Sequence, residues 1–410
     1  MQENIVMLTA PSVPFLDLLS RDFDLASDEV DRAREQYWFA QSPQGPVVLR
    51  YDECTELLKD PRLGLDGRKF LRMNGVTSGP MYDWWITTVR NTPQEDHLRL
   101  RAVAAPGLSP KRVEALRPEL RTLAQNLARD MPANEIVDFA ERFGSPYASG
   151  AIARLLGVPD EDHEMFRLVS KDAGLVFVWS DLPAVLPVID RGIEQLKKYI
   201  HDLFELRLRE PGEDLVSFLA AEVSGTNLLS RVEAEGLVLD IAWASQESVA
   251  RQLGRALIAF HSHPRQWELV HRNPELIGQA VDEVLRFAPQ IRAIFRFATE
   301  RIDYRDLTLD RGQFVMFCPP SATRDPRAYE GAGTFDILAK HQKRQLIFGG
   351  GIFRCLGSGL ARIELEEALV ALMQRFTCPL LPDPATWRAA LPMVNVRDAL
   401  PIQWERRSHD

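Results

Sequence analysis

"FGGGIFRCLG", residues 348–357, sets one cysteine among four glycines and a single arginine. Three consecutive glycines, 349–351, allow backbone conformations and close approaches that a β-carbon would block. After the cysteine, "LGSGLARIELEEALVALMQRF" spaces its apolar residues as an amphipathic helix. Cys355 therefore stands just before a helix N-terminus, where unpaired N–H groups and the helix dipole favour a thiolate. A thiolate on a glycine-supported loop is a nucleophile or a metal ligand, and no histidine lies close in sequence to act as its base. A phosphate loop does not fit. GxGxxG fails because Arg354 stands where the third glycine belongs, and no Lys-Ser/Thr follows.

The rest of the composition narrows the class. The chain of 410 residues has four cysteines, Cys54, Cys318, Cys355 and Cys378, with no CxxC pair, which argues against a zinc site and a disulfide framework. A net charge of −9 argues against nucleic acid as a partner, because phosphate contacts need clustered Lys and Arg. With 45% hydrophobic residues the chain can bury a large core. No linker, charge block or repeat marks a boundary, so residues 1–410 read as a single domain. The N-terminus lacks the basic and apolar regions of a signal peptide. The most apolar run, 173–189, is interrupted by Asp181, Pro183 and Pro187 and is too short to span a bilayer. The expectation is a soluble, cytoplasmic protein with no membrane partner. His261, His263 and His271 lack a carboxylate at ligand spacing, and no Gly-x-Ser-x-Gly elbow supports a hydrolase.

Helical patterns dominate, as in "GSPYASGAIARLLGVPDED" and "DRGIEQLKKYIHDLFELRLRE". Short strands are expected near the start, in "GPVVLRYDECTELLKDPRLG", and late, in "RIDYRDLTLDRGQFVMFC". The fold class is mainly α, with a minor β region. Ser230 and Glu233 match a capping box and Pro264 marks a stop, so a helix over 231–262 runs about 48 Å, enough to cross the domain. Its middle, "AWASQES", is polar for so deep a segment, and such burial is costly unless it is satisfied or useful.

Taken together, "FGGGIFRCLGSGLAR" resembles the haem-binding loop of the cytochrome P450 family, Phe-Gly-x-Gly-x-x-x-Cys-x-Gly. Phe348, Gly349, Gly351 and Gly357 match its pattern. The resemblance implies a P450 fold, with haem b (iron protoporphyrin IX) held between a long central helix and the cysteine loop, and Cys355 as the iron's proximal ligand. Other family signatures recur in order. "EVLR" matches Glu-x-x-Arg, so Glu283 and Arg286 are the expected structural pair, on one helix face. "HLRLR" matches the propionate-binding helix, with His97 and Arg101 one turn apart, and Arg296 in "FRFAT" matches another propionate contact. Two departures stand out. Phe353 replaces the histidine that bacterial members commonly carry two residues before the cysteine, so one propionate partner is lost or replaced, and Lys340 stands where Arg is frequent.

On the distal side, "ASQESV" (244–249) aligns with the family's Ala-Gly-x-Glu/Asp-Thr-Thr. Ala244 and Ser245 are the small residues of the oxygen groove. Glu247 is the acid, and Ser248 is the alcohol, usually Thr, that helps pass protons to dioxygen. Ser keeps the hydroxyl, loses the β-branch and is able to bond back to the Ala244 carbonyl. The substrate pocket is expected from a 70–86 loop with Trp84 and Trp85, a 173–189 loop, residues 290–295 including Ile291, Arg292 and Ile294, and the "PMVNV" turn at Val394. Arg292 in that wall suits an anionic substrate group.

Electrons are expected from a separate ferredoxin and ferredoxin reductase, docking on Arg99, Lys111, Arg112, Lys343, Arg344 and Arg354. The implied activity is monooxygenation of a small organic molecule in natural-product biosynthesis. Oxidative coupling, desaturation or ring formation on the same haem is one alternative, and a non-catalytic haem-thiolate sensor is another. Glu247 and Ser248 favour catalysis, since a sensor needs no proton relay.

Overall fold

A computed structural model describes residues 12–20, 23–25, 27–177, 182–341, 343–382 and 399–407. Helices dominate. Among the described residues the small sheets are a five-stranded one, a hairpin of Ile302–Tyr304 with Leu307–Leu309, and a pair of Ile136–Asp138 with Pro401–Gln403. In the five-stranded sheet the order is Phe39–Ala40, Val47–Val48, Phe314–Phe317, Ile294–Ala298, Leu63–Gly64. Only the Val47–Val48 and Phe314–Phe317 pairing is parallel.

The long helix spans Arg231–Ser262, as its end signals predict. Both halves of the capping box form: the Glu233 N–H donates to Ser230 Oγ, and the Ser230 N–H donates to Glu233 Oε2 at 2.8 Å. Beyond its end, Pro264 opens the helix Pro264–Arg272 at a position where a missing N–H costs nothing. The long helix runs from one hydrophobic core to another. Leu237, Val238, Ala242 and Trp243 belong to the first core, and Val249, Leu253, Leu257 and Phe260 to the second. The polar stretch 244–248 lies at the join, beside a cavity, which resolves the puzzle of its composition.

Two segments differ from the sequence expectation. The described parts of 173–189 are not a loop: Gly174–Phe177 is a short 3-10 turn, and the helix Leu182–Arg209 runs through Pro187. An internal proline costs about 3 kcal/mol. Ile189, Ile193, Leu196, Ile200 and Phe204 are all buried on one face of that helix, at roughly 1.5–3 kcal/mol each, and outweigh it. Residues 70–86 likewise hold the end of the helix Gly67–Met73 and all of the helix Pro80–Trp85. No helix among the described residues is long and apolar enough to cross a membrane.

Candidate functional site

The cysteine loop is shaped by its glycines. Gly349 has φ +69° and ψ −163°, and Gly351 has φ +62°, conformations that favour glycine. Gly350 and Gly351 press on the end of the Tyr51–Leu57 helix: a Cβ at Gly350 would meet Leu58 Cβ at 2.9 Å, and one at Gly351 the Leu58 carbonyl oxygen at 2.6 Å. The loop closes when the Cys355 N–H donates to the Phe348 carbonyl at 2.9 Å. Gly357 then caps the helix Ser358–Arg375.

Cys355, Phe348, Gly349 and Gly357 line a cavity of about 470 Å³. Ala244, Ser245, Glu247 and Ser248 of the long helix line the same cavity. The Cys355 sulfur is bare to this space but deep in the fold. Burial pushes its thiol up, while the Gly357 N–H and the Arg101 and Arg354 cations pull it down. The helix terminus alone therefore does not make a thiolate here. A coordinated metal ion would, since it deprotonates a ligating thiol outright.

The cations converge on the same space. His97 Nδ1 is 2.8 Å from the Val89 carbonyl and Nε2 is 3.0 Å from that of Ile352. Arg101 donates to the Arg354 carbonyl. These two residues therefore hold the cysteine loop from the helix Gln94–Ala104. Arg296, almost fully buried, donates to the Phe295 carbonyl at 2.8 Å but leaves its Nε without a partner. Burial pulls its pKa down to about 9, with repulsion from Arg90 adding to the effect. An orphaned guanidinium donor beside a cysteine-lined cavity fits a flat metal-bearing group that carries carboxylates, so the residues present fit haem.

On the long helix, Ser248 Oγ donates to the carbonyls of Ala244 at 3.1 Å and Ser245 at 3.3 Å, and Ser245 Oγ to that of Ile241 at 2.8 Å. The helix remains continuous through these bonds. Glu247 pairs with Arg251 one turn on, at 3.2 Å. Glu283 and Arg286 form a buried pair with two contacts of 2.7 Å. Arg286 also donates to the carbonyls of Thr323, Ala332 and Thr334, and Glu283 accepts the Asp336 N–H. The pair thus clasps the irregular segment that leads to the cysteine loop.

The pocket expectations divide. Ile291 and Ile294 line the cavity. Arg292 does not: its guanidinium is fully buried on the other side of the chain, donating to the carbonyls of Ser20 at 3.2 Å and Phe23 at 2.6 Å. Ile291 and Ala293 take the cavity side, and the intervening side chain turns away. Trp84 and Trp85 are core residues, packed with Trp243 and Phe70 rather than lining the cavity. Of the described residues in 173–189 only Gly174 lines it, and from the start of the chain Leu65, Val89 and Arg90 do so in place of residues 70–86. Val394 lies outside the described residues.

Of the basic docking candidates, Arg99 is drawn to Asp96 and to Glu233 of the helix cap. Lys111, Arg112, Lys343 and Arg344 remain exposed. Two cavity residues carried no sequence signal. Arg90 lies by the rings of Trp85 and Phe295. Asp240, one turn before Ala244, has its carboxyl pushed up to about 7 by burial, against the Val89 N–H that it accepts at 2.6 Å.

The chain is similar to known proteins along most of its length. A family model described as cytochrome P450 matches residues 160–405. Luteothin monooxygenase of Streptomyces thioluteus is 34% identical over 400 residues, covering 97% of this chain and 98% of that protein. Cytochrome P450 monooxygenase PikC of Streptomyces venezuelae is 31% identical, covering 97% and 96%. The crystal structure of CalO2 is similar with a TM-score of 0.84 at 26% identity, covering 94% of this chain and 99% of that one.

Proposed function

The chain belongs to the cytochrome P450 family of haem b monooxygenases, and from that premise we propose that it oxidises a small, largely apolar natural-product intermediate, with electrons delivered by a separate ferredoxin and its reductase. One observation carries the reading: Cys355 and the Glu247–Ser248 pair line a single cavity. Haem bound there supplies the iron at which the O–O bond of dioxygen is cleaved, with a thiolate ligand favouring that cleavage.

Cys355 is the residue to hold the iron, and His97, Arg101 and Arg296 are the residues to hold the carboxylates. Ser248 keeps its Oγ proton on the Ala244 and Ser245 carbonyls at the cavity wall, where rotation about Cα–Cβ re-aims it. Glu247 must leave Arg251 and take up a proton from water before it can replace one lost from that hydroxyl. Ile291, Ala293, Ile294 and Phe295 give the substrate an apolar wall. That Arg292 is buried elsewhere withdraws the argument for an anionic substrate. Natural-product chemistry is supported by luteothin monooxygenase and by a relative named 6-deoxyerythronolide B hydroxylase, 29% identical over 370 residues. The exposed Lys111, Arg112, Lys343 and Arg344 support an acidic electron carrier.

The test is a substrate screen by haem spectroscopy, followed by turnover with added ferredoxin and reductase. Ser248→Ala should lower product formed per electron consumed by at least tenfold, a lower bound set beneath the roughly 10²–10⁴-fold that a proton-transfer group typically contributes. Full coupling in that variant would refute the relay.

A further inference from the structure

Arg90 is placed as if for a ligand, and the following rests on the haem reading above. Its guanidinium sits 5.6 Å from the ring centroid of Trp85 and 5.8 Å from that of Phe295, and it finds no hydrogen-bond acceptor among the described residues. Its near acid, Asp240, accepts the Val89 N–H. Its near cation is Arg296, which repels it and has an Nε with no partner. Two like charges close together in a weakly screened interior are costly unless an anion lies between them. His97 and Arg101, also placed to hold carboxylate, each spend donors on backbone carbonyls, those of Val89, Ile352 and Arg354, which leaves room for a further cation. Position 353 offers nothing, because the Phe353 ring lies 4.8 Å from the Arg296 guanidinium and carries no donor.

We propose that Arg90 and Arg296 together grip one carboxylate of the haem, with Arg90 supplying the donor that position 353 lacks. The aromatic rings beside Arg90 hold its planar fork before the ligand arrives, so little side-chain freedom is lost on binding.

The experiment titrates the apoprotein with hemin and with hemin dimethyl ester, read by Soret absorbance. The ester has the same ring and iron but no carboxylates. Arg90→Met should weaken hemin at least tenfold and leave the ester within twofold. Because both ligands are measured on one variant, a general loss of folding cancels from their ratio. Arg90→Lys should fall between wild type and Arg90→Met, and Phe353→His added to Arg90→Met should recover hemin affinity. An unchanged hemin-to-ester ratio in Arg90→Met overturns the assignment, as it must if Arg90 serves a substrate anion instead. A wild-type apoprotein that binds neither porphyrin would sink the haem reading itself.

Discussion

Replacing Arg286 with Met removes the cation on which five hydrogen bonds depend. The side chains of Arg286 and Glu283 are 1% and 3% exposed, so water does not readily take over. Stranding the Glu283 carboxylate costs about 3–5 kcal/mol. The Thr323, Ala332 and Thr334 carbonyls also lose a donor, at about 1 kcal/mol each if partly rehydrated. The sum, roughly 6–8 kcal/mol, lies within the whole stability of a typical domain, about 5–15 kcal/mol. Arg286→Met should therefore stand at the edge of folding. Arg286→Lys, which keeps the charge and loses the fork, should be measurably folded but weakened.

Adding Glu283→Leu to Arg286→Met removes the stranded charge, so the double variant should be no worse than Arg286→Met alone. The coupling between the two positions should then be at least about 3 kcal/mol. Urea unfolding followed by tryptophan fluorescence measures the wild type, Arg286→Met, Glu283→Leu and the double variant. Single-variant costs that add up to the double-variant cost within about 0.5 kcal/mol would refute the reasoning.

Two further outcomes follow from local geometry. Gly351→Ala should lower Tm and haem retention together, since it combines φ +62° with a Cβ 2.6 Å from a backbone oxygen, whereas Gly359→Ala, with open space around it and a place in the helix Ser358–Arg375, should be neutral or stabilising. Asp240 binds a proton in the folded state up to about pH 7 but only to about pH 3.8 when unfolded, so between those limits the wild type loses about 1.4 kcal/mol of stability per pH unit as pH rises, and none from this group above 7. Asp240→Asn should gain on the wild type by that slope from pH 5 to 7, and parallel stability curves for the two proteins would show that the carboxyl is not held neutral.

What could be read from sequence was local in pattern. The cysteine loop, the capping box at Ser230 and the Glu283–Arg286 spacing each depend on residues a few positions apart, and each takes the expected form. Ser248's bond to the Ala244 carbonyl was legible for the same reason. What failed was orientation in segments whose partners are distant. Arg292 is claimed by carbonyls some 270 residues away in the N-terminal segment, at Ser20 and Phe23. Trp84 and Trp85 look equally able to face a ligand or a core until Trp243 of the long helix is placed beside them. Arg90 and Asp240 belong to no periodic pattern, and only the closure of the cavity brings them together.

The seat of Gly350 and Gly351 on Leu58 has a practical consequence for recombination between relatives. The cysteine loop is not a portable cassette. Its underside is moulded to a segment encoded almost three hundred residues upstream, so chimaeras that exchange the C-terminal third should retain their pigment only when the short stretch around residues 51–60 travels from the same parent.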